Sequence, residues 1–571
     1  MPFGLKNIVS GHLAIAILFC NMLASTGKSF AQDSIRDQAK NFTFHGSIHL
    51  NLIGYANHGI SSRADPFSAI LAVNAVPKYK ELELPFSIVV SDKDFGRENY
   101  SQPYDQIGIS PKWRWITLHG GFRNVTFSNF TLAGHTFLGG GAELVPGIFR
   151  FGFIYGRFER KTTGSNIYTT DTLPHFARKG FAVKLGVGNE KNFFDLILLR
   201  IRDDSTTLDQ PDTSTITTPE QNVVAGFNGH FSFTEKFTWD LEGALSLYTT
   251  NLGAQQIQDI AEDKTLNKIN KFLSVNFSSE YYYAIRSALQ YKEKLWSVKL
   301  EYRRIEPRYR SMGAYYFNND VENITFSPVF ALFKRKLSVG GSIGLQQDNL
   351  RETKKATSRR TIGNIFLSCN PNQKFGFAAS YSNYSIDQKA GRIALNDTTK
   401  VKQATHNFSL TPRLFVMKEA KTHMVMLMYN LAANRDKNNF TSDFTRFTNH
   451  ILQVNYIIGF TEKKWSVNTG LTYTYTSSFA MVIKGIGGAI GVTKTLISDR
   501  MMLSWNNALT RTNSDQNDAW VFNTSLSSIY RIGKHHNFKL YIYFTGNYTG
   551  PDSINPSFSE FKGDLSYVFT F

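Results

Sequence analysis

Cysteine is nearly absent: 571 residues hold 2, Cys20 and Cys369. Cys20 lies in an N-terminal apolar stretch that is expected to be removed, which leaves Cys369 as the only thiol. That excludes an intramolecular disulfide, the usual support of small exported domains, and any metal site built on a cysteine cluster. Long apolar runs are also missing. A spanning helix needs about 20 consecutive apolar residues, and nothing after residue 31 approaches this. Acid excess is absent: 63 Lys+Arg against 45 Asp+Glu give a formal charge of +18, or +16 once Lys6 and Lys28 leave. No Lys/Arg block dominates. The charges recur in short clusters near predicted turns, as in Lys292-Glu293-Lys294, Lys334-Arg335-Lys336 and Glu462-Lys463-Lys464. They read as solvated turns and rim, or as attraction to anionic lipopolysaccharide or anionic substrates. An exported chain excludes nucleic acid as the partner of this basic balance.

Export is read from the N-terminus. Lys6 supplies a positive n-region, His12 to Ala24 a short apolar stretch, and Ser29-Phe30-Ala31 small residues where a signal peptidase reads. Residues 1–31 are therefore expected to be a signal peptide cleaved before Gln32. A lipoprotein signal is disfavoured, because Ile17-Leu18-Phe19 puts no small residue ahead of Cys20. Residues 32–40 form a short polar periplasmic lead.

What is present is alternation. Trp296, Val298, Leu300 and Tyr302 point one way, and Ser297, Lys299, Glu301 and Arg303 the other. Leu452, Val454, Tyr456, Ile458 and Phe460 form a second such face, and Val467, Leu471, Tyr473 and Tyr475 a third. Hydrophobic content is only 42% and mean hydropathy is −0.25, as expected when alternate residues alone face lipid. The segments commonly reach 10 to 14 residues, longer than the five or six or so of soluble strands. They match the length needed to cross hydrocarbon. Trp113, Trp115, Trp239, Trp296, Trp465 and Trp520 flank strand ends, where a membrane interface favours them. Backbone groups in lipid must all be paired, so strands that span must close into a barrel.

Residues 41–571 are thus read as one large antiparallel transmembrane β-barrel of about 24–26 strands in an outer membrane. The expected strands are 41–55, 66–77, 81–91, 103–110, 112–122, 135–144, 148–159, 176–187, 191–202, 222–233 and 237–249, then 279–292, 294–306, 322–334, 337–349, 360–369, 375–386, 402–415 and 421–434, and last 446–460, 464–477, 482–497, 500–511, 519–532, 536–548 and 560–571. Long connections (203–221, 250–278, 387–401, 435–445, 549–559) alternate in parity with short ones and are assigned to the extracellular rim. The chain ends on Leu565, Tyr567, Phe569 and Phe571, alternating with Asp564, Ser566, Val568 and Thr570; this resembles the terminal strand that barrel-assembly machinery recognises.

Two stretches stand out inside this pattern. Ala133 to Arg160 is rich in glycine and aromatics. Its Gly139-Gly140-Gly141 lacks the Lys-Ser/Thr ending and the strand–turn–helix setting of a phosphate loop. It reads as a small-residue strand packed against an inward element, and Glu143, Arg150 and Arg157 (with Glu159) are candidate lumen charges, although their numbering does not put all on one face. Arg303 to Asp320 concentrates Arg303, Arg304, Arg308, Arg310 and Asp320, candidates for a selectivity ring, an anion site or a rim ion-pair network. Lys299 and Glu301 join them as lumen candidates. His119, His135 and His175 have no spacing that singles out a catalytic triad, and His535-His536 lacks further metal ligands. No catalytic residue, metal or cofactor is expected.

With its signal peptide, many long alternating strands and terminal Phe571, and with Leu84-Pro85-Phe86, Gly108-Ile109-Ser110-Pro111, the Gly134 to Arg157 run and Arg304 to Asp320 as its local features, the chain resembles large outer-membrane β-barrel proteins of the Bacteroidota. The resemblance implies the location and a large barrel, and no substrate. Two functions fit. One is a channel or translocator component with a wide polar lumen. The other is a closed or plugged barrel that scaffolds outer-membrane protein or lipoprotein partners. Contact with outer-membrane lipids and lipopolysaccharide is expected in either case.

Overall fold

The computed structural model describes residues 42–92, 106–162, 174–208, 217–257, 264–391, 398, 400–514, 517–550, 553 and 555–571. The signal-peptide and periplasmic-lead assignments lie outside them. Every strand pairs antiparallel with its sequence neighbour, and the first strand, Phe42–His58, pairs with the last, Phe558–Thr570. That seam, from Ser47 opposite Thr570 to His58 opposite Ser559, closes the sheet. Prolines interrupt one corner. Leu82–Glu83 and Phe86–Ser91 are separated by Leu84-Pro85, and their partners Gln106–Ile109 and Lys112–Trp113 by Ser110-Pro111. Proline has no N–H to donate to a ladder, yet the Pro77, Pro85 and Pro111 carbonyls still accept from Leu84, Ser110 and Leu118, each at 2.8 Å. With each interrupted pair counted once, the fold is a closed 26-strand antiparallel barrel. A circular barrel of that number at the usual tilt is about 50 Å across.

Away from this corner the strands run from 10 residues (Trp296–Ile305) to 17 (Phe42–His58, Lys402–Lys418). The sequence placed strands at 103–110 and 112–122 with a turn near Pro111. The structure moves that turn to Arg114-Trp115, where Arg114 takes φ 52°, and Ile116–Thr126 follows. Pro111 lies within a strand because its missing N–H falls at a break in the ladder. Tight turns with left-handed residues, among them Lys80, Lys334 and Ser498, lie on the short-connection rim. The long connections share the other rim; the one between Phe237–Thr249 and Ser279–Lys292 carries a helix, Lys264–Leu273.

Cross-strand partners share a face, so the register carries face assignment around the barrel. Leu52, Leu565 and Leu540 are mutual partners on one face. The same face presents Leu118, Leu185, Leu196, Leu300, Ile343, Ile365, Leu471, Ile486 and Leu509, all exposed. Large apolar side chains around the whole outside are what lipid requires, and the barrel lies in the outer membrane. Leu565, Tyr567, Phe569 and Phe571 lie on this face. Phe571 stacks on Phe44 at 4.5 Å, and its backbone exchanges hydrogen bonds with Gly46 at 3.0 and 3.1 Å.

The face assignment is checked by paired substitutions in the last strand. Leu565→Arg, on the lipid face, is expected to cost about 2–4 kcal/mol. Ser566→Arg, on the lumen face, should cost less than about 0.5 kcal/mol. Urea midpoints of the refolded barrels measure both.

Candidate functional site

The inner wall differs in kind from one side of the barrel to the other. From Ile116–Thr126 round to Trp296–Ile305 it carries charges and is partly covered. From Lys421–Asp436 round to Asn517–Ile532 it is uncharged between the rims.

The cover consists of two connections of the long-loop rim. Residues 127–132 and 306–320 turn into the barrel and pack on each other and on the wall. Phe127, Phe130, Leu132 and Tyr309 are almost wholly buried, together with wall residues Phe137, Ile154, Phe158, Leu199, Ile201, Val224 and Ile305. Tyr309 meets Phe317 edge-on at 5.2 Å and Phe130 at 6.2 Å. Its hydroxyl donates to the Phe130 carbonyl at 2.6 Å. Polar groups trapped under the cover find partners, as buried groups must. Ser311 donates to the Thr131 carbonyl, the Met312 N–H to Asn222 at 3.0 Å, and Ser246 to the Arg310 carbonyl at 2.6 Å. The Ala133 N–H donates to the Gly313 carbonyl at 2.9 Å, and the Thr136 N–H to the Tyr315 hydroxyl at 3.0 Å. Two wall glycines make room for it. A Cβ at Gly152 would lie 2.8 Å from the Phe127 ring, and one at Gly226 2.6 Å from the Thr131 methyl.

Beneath and beside the cover runs a girdle of ion pairs. Lys184 lies 2.8 Å from Glu143 and over the Phe127 ring at 4.6 Å; His119 reaches the other Glu143 oxygen at 3.4 Å. Arg150 grips the buried Asp195 with two bonds, at 2.7 and 3.1 Å. Arg286 and Lys299 share Glu301 at 3.0 and 2.6 Å, His230 meets Asp240 at 2.6 Å, and Glu242 accepts from the Asn129 side chain at 2.9 Å. Glu143, Arg150, Lys299, Glu301 and Arg303 all fall on this lumen face. Arg157 does not: it pairs across the sheet with Leu138, on the lipid face. A register shift beside Arg178 turns Glu159 inward, 3.1 Å from the Arg178 guanidinium.

The arginines after Arg303 do not converge. Arg304 faces outward and pairs with Glu322 at 3.3 Å. Arg308 pairs with Glu280 at 3.1 Å, and Arg310 lies over the Tyr248 ring at 5.4 Å. Asp320 accepts the Leu350 N–H at 2.9 Å and pairs with Lys354, tying one inward connection to the next loop. Sequence reasoning missed the strongest buried network. Arg178 meets Asp203 at 2.7 Å and Glu220 at 2.8 Å besides Glu159, and the Tyr248 hydroxyl donates to Glu220 at 2.6 Å. The glycine-rich 133–160 stretch was expected to pack against an inward element, and it does so where Gly152 lies under Phe127; which loops supply that element was not foreseen, although Phe127-Ser128-Asn129-Phe130 carries two phenylalanines. Among the described residues no group of three His, Cys, Asp or Glu side chains could hold a metal.

No protein-family model matches the chain, and no curated protein does. Solved structures similar to it include OccAB2 of Acinetobacter baumannii (TM-score 0.31, 7% identity, covering 62% of this chain and 92% of that one). OpdK of Pseudomonas aeruginosa, crystallised with vanillate, has a TM-score of 0.32 and 10% identity over 66% of this chain and 98% of its own. The FrpB iron transporter of Neisseria meningitidis, F5-1 variant, has a TM-score of 0.38 and 11% identity over 94% and 84%. The chain itself is an outer-membrane β-barrel. That rests on its closed ladder and apolar belt; the solutes of those three proteins remain theirs.

Tyr309 should hold the cover in place. Tyr309→Phe leaves the buried Phe130 carbonyl unpaired and is expected to cost about 1–3 kcal/mol; Tyr309→Ala should cost about 3–5 kcal/mol. Urea midpoints, with protease nicking between residues 306 and 320, check both. Acid should loosen the same connection. Burial pushes the Asp320 carboxyl up, but the Lys354 ammonium and the Leu350 and Asn349 N–H groups outweigh it and hold the pKa below its ordinary value. Its stabilisation is complete above about pH 4 and is lost as pH falls through the depressed folded value. Hydrogen-exchange protection of residues 309–320, corrected for intrinsic rates, should stay level from pH 7 to about 4 and fall below it.

Proposed function

We propose that the chain is an outer-membrane channel whose passage runs between the covered, charged wall and the uncharged wall facing it. The observation that carries this reading is the one-sidedness of the cover. Among the described residues, the two inward connections rest on strands from Ile116–Thr126 to Trp296–Ile305, while the luminal Asn468, Asn506 and Ser525 still border open space. A scaffold with a blocked lumen would need the second wall filled as well.

The charge pattern adds a constraint. The girdle sets Glu143, Asp195, Asp240, Glu242 and Glu301 against Lys184, Arg150, Arg286, Lys299 and Arg303, so the basic excess of the chain is not concentrated there. Paired charges of both signs give weak ion selectivity. In planar bilayers the refolded protein is expected to show large, reproducible steps with cation and anion permeabilities within a few-fold of each other. Glu301→Gln removes the carboxylate that Arg286 and Lys299 share, leaving Glu242 and Asp240 as the acids beside Arg286, and should shift reversal potentials toward anions. Silence from demonstrably folded protein would contradict the channel reading.

A further inference from the structure

The uncharged wall has internal order. Register sets two luminal rows side by side across five strands. One reads Asn468, Gly491, Asn506, Ser525, Tyr543; the next, one pleat nearer the long-loop rim, reads Gly470, Ala489, Ala508, Asn523, Thr545, with Asn455 beside Gly470. The rows enclose a trough of ≈ 160 Å³. Its open floor is Ala489 and Ala508, whose small side chains let a flat molecule approach the sheet, while Asn455 leans over the neighbouring Gly470. The amide oxygens of Asn468 and Asn506 reach over Gly491 from both sides, into the space a Cβ would fill. Neither amide has a hydrogen-bond partner among the described residues. At the far end the Tyr543 hydroxyl donates to Asn523 at 2.8 Å, and the Tyr541 and Tyr543 rings lie parallel, 6.4 Å apart.

We infer that this trough binds a neutral, hydroxyl-rich ring compound, a saccharide unit, laid flat against the wall. Amides and hydroxyls each offer donors and acceptors, which is what a sugar hydroxyl requires of its partners. An ionic ligand would find no countercharge here, and its desolvation would go uncompensated. A purely apolar ligand would leave the converging amides unpaired. The small-residue floor and the Tyr543 ring suit the C–H face of a pyranose, with the polar groups at its edges. The inference names a solute class for the lumen that the channel reading left open, and it rests on that lumen being accessible.

The test is calorimetric titration of the full-length refolded protein in detergent with three neutral probes: maltotriose, cellotriose and chitotriose. At least one is expected to bind. Asn468→Leu combined with Asn506→Leu should weaken it by about tenfold or more, and Ala508→Phe, which fills the floor, should do the same. Glu301→Gln on the opposite wall should leave it unchanged. Heat-modified gel mobility establishes that each variant is folded, and Ala508→Phe decides if the double variant is not. Absence of binding by all three probes, or unchanged affinity in the folded variants, overturns the inference. Conduction without sugar binding would leave the channel standing; sugar binding by a barrel silent in bilayers would do the reverse.

Discussion

Hydrocarbon offers no partner to a peptide group, and everything in this molecule follows from satisfying that group internally. The ladder between Phe42–His58 and Phe558–Thr570 removes the two edges that an open sheet would expose. Once the ring is closed, the outward residues that meet hydrocarbon are favoured to be apolar, with polar ones such as Arg157 and Arg304 as exceptions, while the inward ones are released from that demand. The lumen is therefore where sequence is free to vary, and it is where the two halves of this barrel diverge.

One half uses that freedom to build a second layer. A lone apolar side chain facing water inside a wide barrel gains little. When residues 127–132 and 306–320 fold inward, Phe127, Phe130 and Tyr309 acquire a common core with Ile154, Leu199 and Val224. The cost is burial of loop backbone, and the bonds from Tyr309, Ser311, Ser246 and the Met312 and Ala133 N–H groups offset it. The ion pairs around this core hold their charges in a partly dehydrated setting. Arg178, ringed by Glu159, Asp203 and Glu220, is the clearest case, since removing it would leave three carboxylates without the guanidinium they share. The other half stays a single layer of amides, hydroxyls and small residues.

The barrel was legible because lipid enforces a period of two with few exceptions, and Leu452 to Phe460 or Trp296 to Tyr302 announce their strands without outside help. The misplaced turn near Pro111 shows the limit. Proline was read as a strand end, whereas a break in the ladder lets it lie within one. That something packs inward on the glycine-rich 133–160 strands was legible, but the loops that form the cover were not, because Tyr309 and Phe130 meet across 179 residues and nothing local in either loop names the other. The lumen face was half legible. Alternation separates Lys299, Glu301 and Arg303 from their apolar neighbours, but it could not pair Arg150 with Asp195, bring Glu159 inward through a register shift, or set Asn468 and Asn506 on either side of Gly491. Those relations exist only once the register is known.

The central claim is that one inner wall is covered and the other is bare. Cysteine accessibility tests it most directly. In a Cys369→Ser background, single cysteines at Ser525 and Thr510 on the bare wall and at Ser246 and Val224 under the cover are exposed to a small water-soluble thiosulfonate. The account requires rapid modification at the first two positions and protection at the last two. Protection at all four would mean the lumen is filled from both sides, and modification at all four would mean the cover is not there.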